Sequence, residues 1–227
     1  MDLVSVRDKE LRMRVILFDT ETTGLPKTRE EATRRPNNWP HMVSIAWIIM
    51  EDDVIIDQKY HIIRPEWIIP EDSIKIHGIT QEKAVAEGVP LRYVVDMFLA
   101  EQCDLLVAHN MSFDYNVLVN AILWDLHMSL PTFPKMFCTM EASRHMLAIR
   151  FASGSGYKSP KLSELYEHVF KLPPRISELH NALYDTQLLA EIVSRSTVLR
   201  PMMGLIAVNT TPPKNVNPTN ESRTLRL

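Results

Sequence analysis

Asp19 and Glu21 stand two residues apart at the end of the apolar run Val15 to Phe18. Strand side chains alternate between faces with period two, so both carboxylates project to the same side. Farther along, Asp114 heads a set with Val117, Leu118, Ala121 and Ile122, and Asp185 heads one with Leu188, Leu189, Ile192 and Val193. Each set has the i, i+3, i+4, i+7, i+8 spacing of a helix stripe that faces a core, with an acid opening the apolar face. Taken singly, either aspartate reads equally well as a first-turn acid that favours the helix macrodipole. Taken together, the four carboxylates are costly. If they converge at about 6 Å, each pair repels by about 3 kcal/mol at an effective dielectric near 20, a total on the order of 15 kcal/mol. That rivals a domain's entire stability, roughly 5 to 15 kcal/mol. Such a cluster must take up protons through raised pKa values or be neutralised by cations. Two hard divalent ions with oxygen ligands would balance four negative charges.

His180 stands five residues before Asp185, a spacing that puts side chains about 140° apart on one continuous helix. The two can serve one site only if His180 precedes the helix, with Asn181 as N-cap and Asp185 in or near the first turn. A histidine near a helix start is ordinarily structural. Beside a metal cluster it becomes a candidate general base, because an unperturbed pKa of about 6.5 lets it accept a proton from water near neutral pH.

The elements that must position these groups follow from periodicity. Val15 to Phe18 reads as a buried central strand meeting a Thr-Thr-Gly turn, and Pro26 to His41, polar and Pro-bearing, as a surface loop. Val43 to Met50 and Val54 to Ile63, separated by Glu51-Asp52-Asp53, read as a hairpin. Helix starts are signalled at Pro70, Thr80 and Pro90, the last leading to about Ala100. Leu105 to Ala108 is a further strand, running through His109-Asn110 into a helix from about Phe113 to His127. Beyond Pro134 come a short apolar piece, a helix around Glu141 to Ala148, and a helix from Pro160 to about Phe170 with Ser159 as N-cap. The last helix runs from about Asn181 to Ser196. Strands first and βα units afterwards predict an α/β or α+β layer fold with a mixed sheet.

Composition narrows the function classes. Of 227 residues, 45% are hydrophobic and 23% charged, which suffices for an ordinary globular core without disulfides or structural metals. The longest apolar stretch, Val43 to Met50, is far short of the roughly 20 residues a membrane helix needs. Cys103 and Cys138 lack metal-ligand spacing, and the first residues lack the apolar core of a secretory signal, so a soluble, intracellular, cytoplasmic protein is expected. A net charge of −3 means that any nucleic acid is bound locally. The expected division is a polar leader over 1–13, one catalytic domain over 14–200, and a disordered Pro-bearing tail over 201–227.

Three motifs occur in order: FDTETTGL at Phe18 to Leu25, HNMSFD at His109 to Asp114, and HNALYD at His180 to Asp185. Together they resemble the DEDD superfamily of 3′-to-5′ exonucleases, in the histidine (DEDDh) branch that includes DnaQ-type proofreading subunits. HGIT at His77 to Thr80 is similar to a segment of DnaQ-type members. The tyrosine branch would need Tyr where Asn181 stands. The resemblance implies a ribonuclease H-like fold, with a five-stranded mixed sheet flanked by helices, and two Mg2+ or Mn2+ ions. Asp19 would bridge both metals, Glu21 and Asp185 would complete the ion holding the attacking water, and Asp114 would support the second. His180 would deprotonate that water, and nucleoside 5′-monophosphates would leave. The resemblance also implies that the backbone of Thr22, Thr23 and Gly24 approaches the terminal nucleotide, with Leu25 as a wedge against its base and Asn110 and Phe113 lining the pocket.

Other readings compete. DTET faintly resembles the DxDxT signature of haloacid-dehalogenase phosphatases, but the second acid is Glu21 and no later GDxxxD-type motif follows. A noncatalytic nucleic-acid-binding module on an exonuclease fold would be expected to lose a ligand, whereas all five positions are occupied. Between DNA and RNA, nothing in the motifs reads a 2′-hydroxyl. FDTETTG looks more like the proofreading type than the oligoribonuclease type, so a DNA 3′ end is the expected substrate and RNA turnover the alternative. A proofreading or repair role would be exercised in trans, beside a polymerase or replication partner.

Overall fold

A strand apolar on both faces belongs in the middle of a sheet, and the computed structural model, which describes residues 13–205, places the Val15–Phe18 run there. Strand β1 (Arg14–Thr22) is central in a five-stranded sheet of order β3-β2-β1-β4-β5. Strands β2 (Met42–Glu51) and β3 (Val54–Ile62) form the expected hairpin, antiparallel to each other and to β1. Its turn residues Asp52 and Asp53 take φ of 46° and 72°, the positive-φ pair that suits the twist of a two-residue hairpin. Helices α1 (Glu71–His77), α2 (Gln81–Glu87) and α3 (Leu91–Ala100) follow the three predicted start signals. At α2, Thr80 Oγ1 accepts the Lys83 amide at 3.1 Å. These helices cross over to β4 (Leu105–Ala108), which pairs parallel with β1. Helix α4 (Met111–Asn120) then leads to β5 (Lys135–Cys138), parallel to β4. Helices α5 (Thr139–Leu147), α6 (Leu162–Phe170), α7 (Ala182–Arg195) and α8 (Leu199–Met202) complete the chain's described part.

Alternation along β1 divides the core. Ile16 and Phe18 pack with Val94, Phe98, Val117 and Leu118 of α3 and α4 on one face. Val15 and Leu17 pack with Leu165, Leu189, Ile192 and Val193 of α6 and α7 on the other. Every one of these side chains is buried, a contribution of roughly 1.5 to 3 kcal/mol each. The layers thus put the two aspartate-bearing helices on opposite sides of the strand that carries Asp19 and Glu21.

Three expectations are corrected. The helix expected from Phe113 to His127 begins at Met111, gives way after Asn120 to a π turn over Ala121–Asp125, and ends at His127 with φ 51°. Asp125 is claimed by Asn120 and by His41, which draws that turn out of α-helical register. The N-cap of α6 is Lys161, not Ser159, because Ser159 Oγ accepts from Arg144 and the Pro160 carbonyl lies 3.0 Å from His109 Nε2. The boundary expected at residue 200 falls inside α8. There Arg200 is 2% exposed and grips the Asp53 carboxylate through its two terminal guanidinium nitrogens, while Met203 is buried and Leu205 packs on the core. The remainder of the expected tail, and the expected leader apart from Met13, lie outside the described residues. Among the described residues no helix is long and apolar enough to cross a membrane.

Candidate active site

Strand β1 outruns its parallel neighbour. Pairing with β4 stops at Leu17–Val107, whereas pairing with β2 continues to Thr22 through a register shift after Glu21. Residues 19–22 therefore project past the sheet's parallel half, where ligands bind in open α/β sheets, and a bulge at such a point re-aims the side chains beside it. Asp19 and Glu21 share one face, as their spacing predicts. Asp185, in the first turn of α7, joins them on that face. Ligand oxygens of Asp19, Glu21 and Asp185 all lie within 4.8 Å of one another.

Asp114 arrives from the other side. Its helix α4 covers the opposite face, and its carboxylate reaches around the end of β4 to the uncovered edge of β1. There Oδ1 accepts the Thr20 amide at 3.1 Å and the Thr20 hydroxyl at 2.8 Å. The four acids therefore form three clustered carboxylates and a fourth held across the strand, rather than one ring of equals. Asp114 is 3% exposed and close enough to act on both Asp19 and Glu21.

Electrostatics register the crowding. Burial, then Asp114, Glu21 and Asp185, push the Asp19 carboxyl well above the ordinary range. Burial, then Asp185 and Asp114, raise Glu21 to about 9. Burial raises Asp114 to about 7 against the pull of the two Thr20 donors, and raises Asp185 to about 6 against the His180 amide. Among the described residues no lysine, arginine or histidine side chain pairs with these four. Asp185 Oδ1 is buried with no hydrogen-bond partner. An orphaned carboxylate oxygen beside two more carboxylates is a donor set that suits a hard divalent cation.

His180 precedes α7, as its spacing requires, and takes φ 63°. Asn181 is the N-cap, with Oδ1 accepting the amides of Leu183 and Tyr184 at 3.1 Å each. The His180 backbone amide, not its ring, touches the cluster, donating to Asp185 Oδ2 at 3.1 Å. Its imidazole is exposed on a cleft of about 470 Å³ shared with Lys75 to Gly78 and Ser177 to Asn181. His77 lines the same cleft, is buried, and accepts the Ile79 amide on Nδ1 at 3.1 Å. Burial lowers its pKa, with the Thr22 backbone acting in the opposite sense. The sequence marked His77 only through the HGIT segment and assigned it no role.

The Thr-Thr-Gly-Leu turn is built by its own side chains. The Thr22 hydroxyl donates to the Gly24 carbonyl at 2.8 Å, and Thr23 Oγ1 accepts the His41 amide at 3.0 Å. Gly24 has φ 147°, which a side chain would strain. Leu25 is left 82% exposed at the tip. Asn110 sits half-buried at the start of α4, and Phe113 packs edge-on against Trp39 at 5.8 Å. Sequence reasoning missed Thr20, the anchor of Asp114, and His109. The His109 ring lies 3.1 Å from Thr139 Oγ1 and 3.0 Å from the Pro160 carbonyl, pinning β4's end to the segments before α5 and α6. Burial lowers its pKa to about 4, so it stays neutral. On the same side, Tyr157 packs against His145, and Lys158 pairs with Glu164.

A mixed five-stranded sheet between helices, with carboxylates at the carboxyl end of its central strand, is the ribonuclease H-like arrangement of exonucleases. The chain matches the exonuclease family model over residues 16–193 and belongs to that family. Within it the chain is a DnaQ-like 3′-to-5′ exonuclease of the DEDD superfamily. It is 31% identical to DNA polymerase III subunit epsilon of Rickettsia felis over 185 residues, 79% of this chain and 72% of that one. It is 28% identical to exodeoxyribonuclease 10 of Escherichia coli K12, over 78% of this chain and 66% of that one. Among solved structures, exonuclease X in complex with 5′ overhanging duplex DNA superposes with a TM-score of 0.57 at 26% identity, over 85% of this chain and 95% of that one.

Proposed function

We propose that this exonuclease removes nucleoside 5′-monophosphates from the 3′ end of single-stranded or frayed DNA, using two Mg2+ or Mn2+ ions. The observation that carries the proposal is the set of three carboxylates within 4.8 Å, one with an orphaned buried oxygen and none with a cationic partner among the described residues. Asp19, Glu21 and Asp185 would hold one ion, and Asp19 with Asp114 would support the other. Ions bound there would supply Lewis acidity, neutralising the phosphodiester and lowering the pKa of the attacking water. His180 accepts the proton of that water at a ring nitrogen, and its exposure on the cleft leaves the ring free to turn toward substrate. The Asp185 carboxylate, by accepting the His180 amide, ties the base's backbone to the ligand set. Thr22, Thr23 and Gly24 bring backbone to the terminal nucleotide, Leu25 wedges against its base, and Asn110 and Phe113 line its pocket.

DNA is preferred over RNA as the substrate because the similar proteins are named for DNA: a DNA polymerase subunit, an exodeoxyribonuclease, and a complex with duplex DNA. The similarity to the epsilon subunit supports proofreading or repair in trans with a polymerase partner. Digestion of matched 5′-labelled DNA and RNA oligonucleotides with Mg2+, Mn2+ or chelator tests the reading. Metal-dependent shortening from the 3′ end, faster on DNA, is expected. Faster shortening of RNA would move the chain to the oligoribonuclease-like alternative. No shortening by folded protein would leave the binding-module reading.

A further inference from the structure

Register across the sheet determines what stands behind Glu21. In an antiparallel pair, opposed residues put their side chains on one face with Cβ atoms about 4.5 to 5.5 Å apart. On the face toward α7, Asp19 is opposed by Ala46 and Ala46 by Tyr60, while Glu21 is opposed by Ser44 and Ser44 by Ile62. Two rows of three side chains thus run from the carboxylates to the outer strand of the sheet. Ala46 is fully buried and ends at Cβ, so it leaves room over β2 for the phenol of Tyr60, which is long enough to cross one strand spacing of about 4.7 to 4.9 Å.

Ser44 is a polar residue in an otherwise apolar stretch of β2. It is fully buried, and its Oγ makes no hydrogen bond of good geometry among the described residues. Burying a hydroxyl without a partner is unfavourable, so its retention points to a group it serves. Tyr60 approaches it from β3, packed half-buried against Ile62, Ile69, Ile79 and Ala84. Burial raises the phenol's pKa, the Ser44 hydroxyl opposes that, and the Glu21 and Glu87 carboxylates add to it. The phenol oxygen therefore sits beside Ser44 and within electrostatic reach of Glu21. Two residues back along β3, Gln58 Oε1 accepts Gln187 Nε2 at 3.2 Å, which ties α7 down over the same face. A carboxylate that ligates a cation is ionised and only accepts hydrogen bonds, whereas a hydroxyl has one proton to give and lone pairs that accept. Ser44 must then donate to Glu21, and its lone pairs suit the Tyr60 hydroxyl as donor.

We infer, on the metal-ion reading above, that Tyr60 and Ser44 are positioning residues for Glu21: the Tyr60 hydroxyl donates to Ser44 Oγ and the Ser44 hydroxyl donates to the Glu21 carboxylate, fixing the orientation in which that carboxylate holds an ion. Neither residue lies in the three motifs. Tyr60→Phe, Ser44→Ala and the double variant test the relay, with Mn2+ binding to substrate-free protein read from the paramagnetic resonance signal of the free ion. Each single variant is expected to weaken Mn2+ binding about tenfold, with the thermal midpoint in chelator unchanged. Because Tyr60 acts only through Ser44, the double variant should bind Mn2+ as Ser44→Ala does, whereas independent sites would add. Unchanged Mn2+ affinity in either single variant, a midpoint in chelator that falls along with the affinity, or a further loss when Tyr60→Phe is added to Ser44→Ala would overturn the relay alone. Wild type that binds no Mn2+ would overturn the metal-ion reading and the relay with it.

Discussion

The two ends of β1 handle charge in opposite ways. At its beginning, Arg14 pairs with Glu51 at 2.7 Å and Glu101 at 3.3 Å, and Lys59 pairs with Glu101 at 2.6 Å and Asp57 at 3.2 Å. Each of these five charges has an opposite neighbour. At its other end Asp19, Glu21 and Asp185 meet one another, and all are pushed toward the protonated state. The same strand thus carries a region whose charges support the fold and a region whose charges oppose it. Strain of the second kind persists where a bound group relieves it, and that separates a structural ion network from a site.

Asp19→Ala breaks the comparison most sharply. It is expected to abolish cleavage, a loss of about 10³-fold or more, since the charge stabilisation removed is worth several kcal/mol. The metal-free protein should meanwhile melt no lower than wild type, and calorimetry with chelator checks this. Retention of most activity would sink the mechanism. Thr20→Val comes next: it removes the hydroxyl that orients Asp114, and losses of about 10- to 100-fold in rate or metal affinity are usual for such supporting partners. An undiminished rate across a metal titration would show that the backbone amide alone holds Asp114.

Third is pH. The folded cluster has pKa values above the ordinary 3.8 and 4.5, so it binds more protons than the unfolded chain. Its stability contribution is complete below about pH 4 and is lost as pH rises through about 6 for Asp185, 7 for Asp114 and 9 for Glu21. The chelated protein's thermal midpoint should therefore fall from pH 5 to pH 9, with Mg2+ restoring more of it at the alkaline end. A midpoint that climbs over that range in chelator would contradict the clustering. The smallest effect belongs to the opposite end of the strand, where Glu101→Gln should cost about 1 to 2 kcal/mol by leaving Lys59 and Arg14 short of a partner. Oligonucleotide cleavage at 25 °C should be unaffected, and denaturant titration beside a rate assay reads both.

Much of this was legible in residue order. The period-two placement of Asp19 and Glu21 and the apolar stripes behind Asp114 and Asp185 identified the carboxylates, because burial periodicity is a local property of strand and helix. Asn181 was recognisable as a cap for the same reason, which in turn put His180 ahead of α7. The hairpin turn at Asp52 and Asp53 was equally local. What escaped were contacts between distant segments. Nothing near Thr20 foretells that α4 will deliver a carboxylate to its amide, nor does anything near Ser159 foretell that Arg144 will claim its hydroxyl and shift the cap of α6 to Lys161.

The division has one physical cause. Residue order alone sets the alternation of side chains along β1, the faces of α4 and α7, and the left-handed turns at Gly24 and Asp53, all governed by dihedral preferences and apolar spacing over a few residues. Only the packed sheet decides that β4 ends while β1 continues. That difference in strand length leaves the Thr20 amide for Asp114, opens the edge where helices from both faces meet, and turns acids 166 residues apart in sequence, Asp19 and Asp185, into neighbours whose mutual repulsion the local chain could not register.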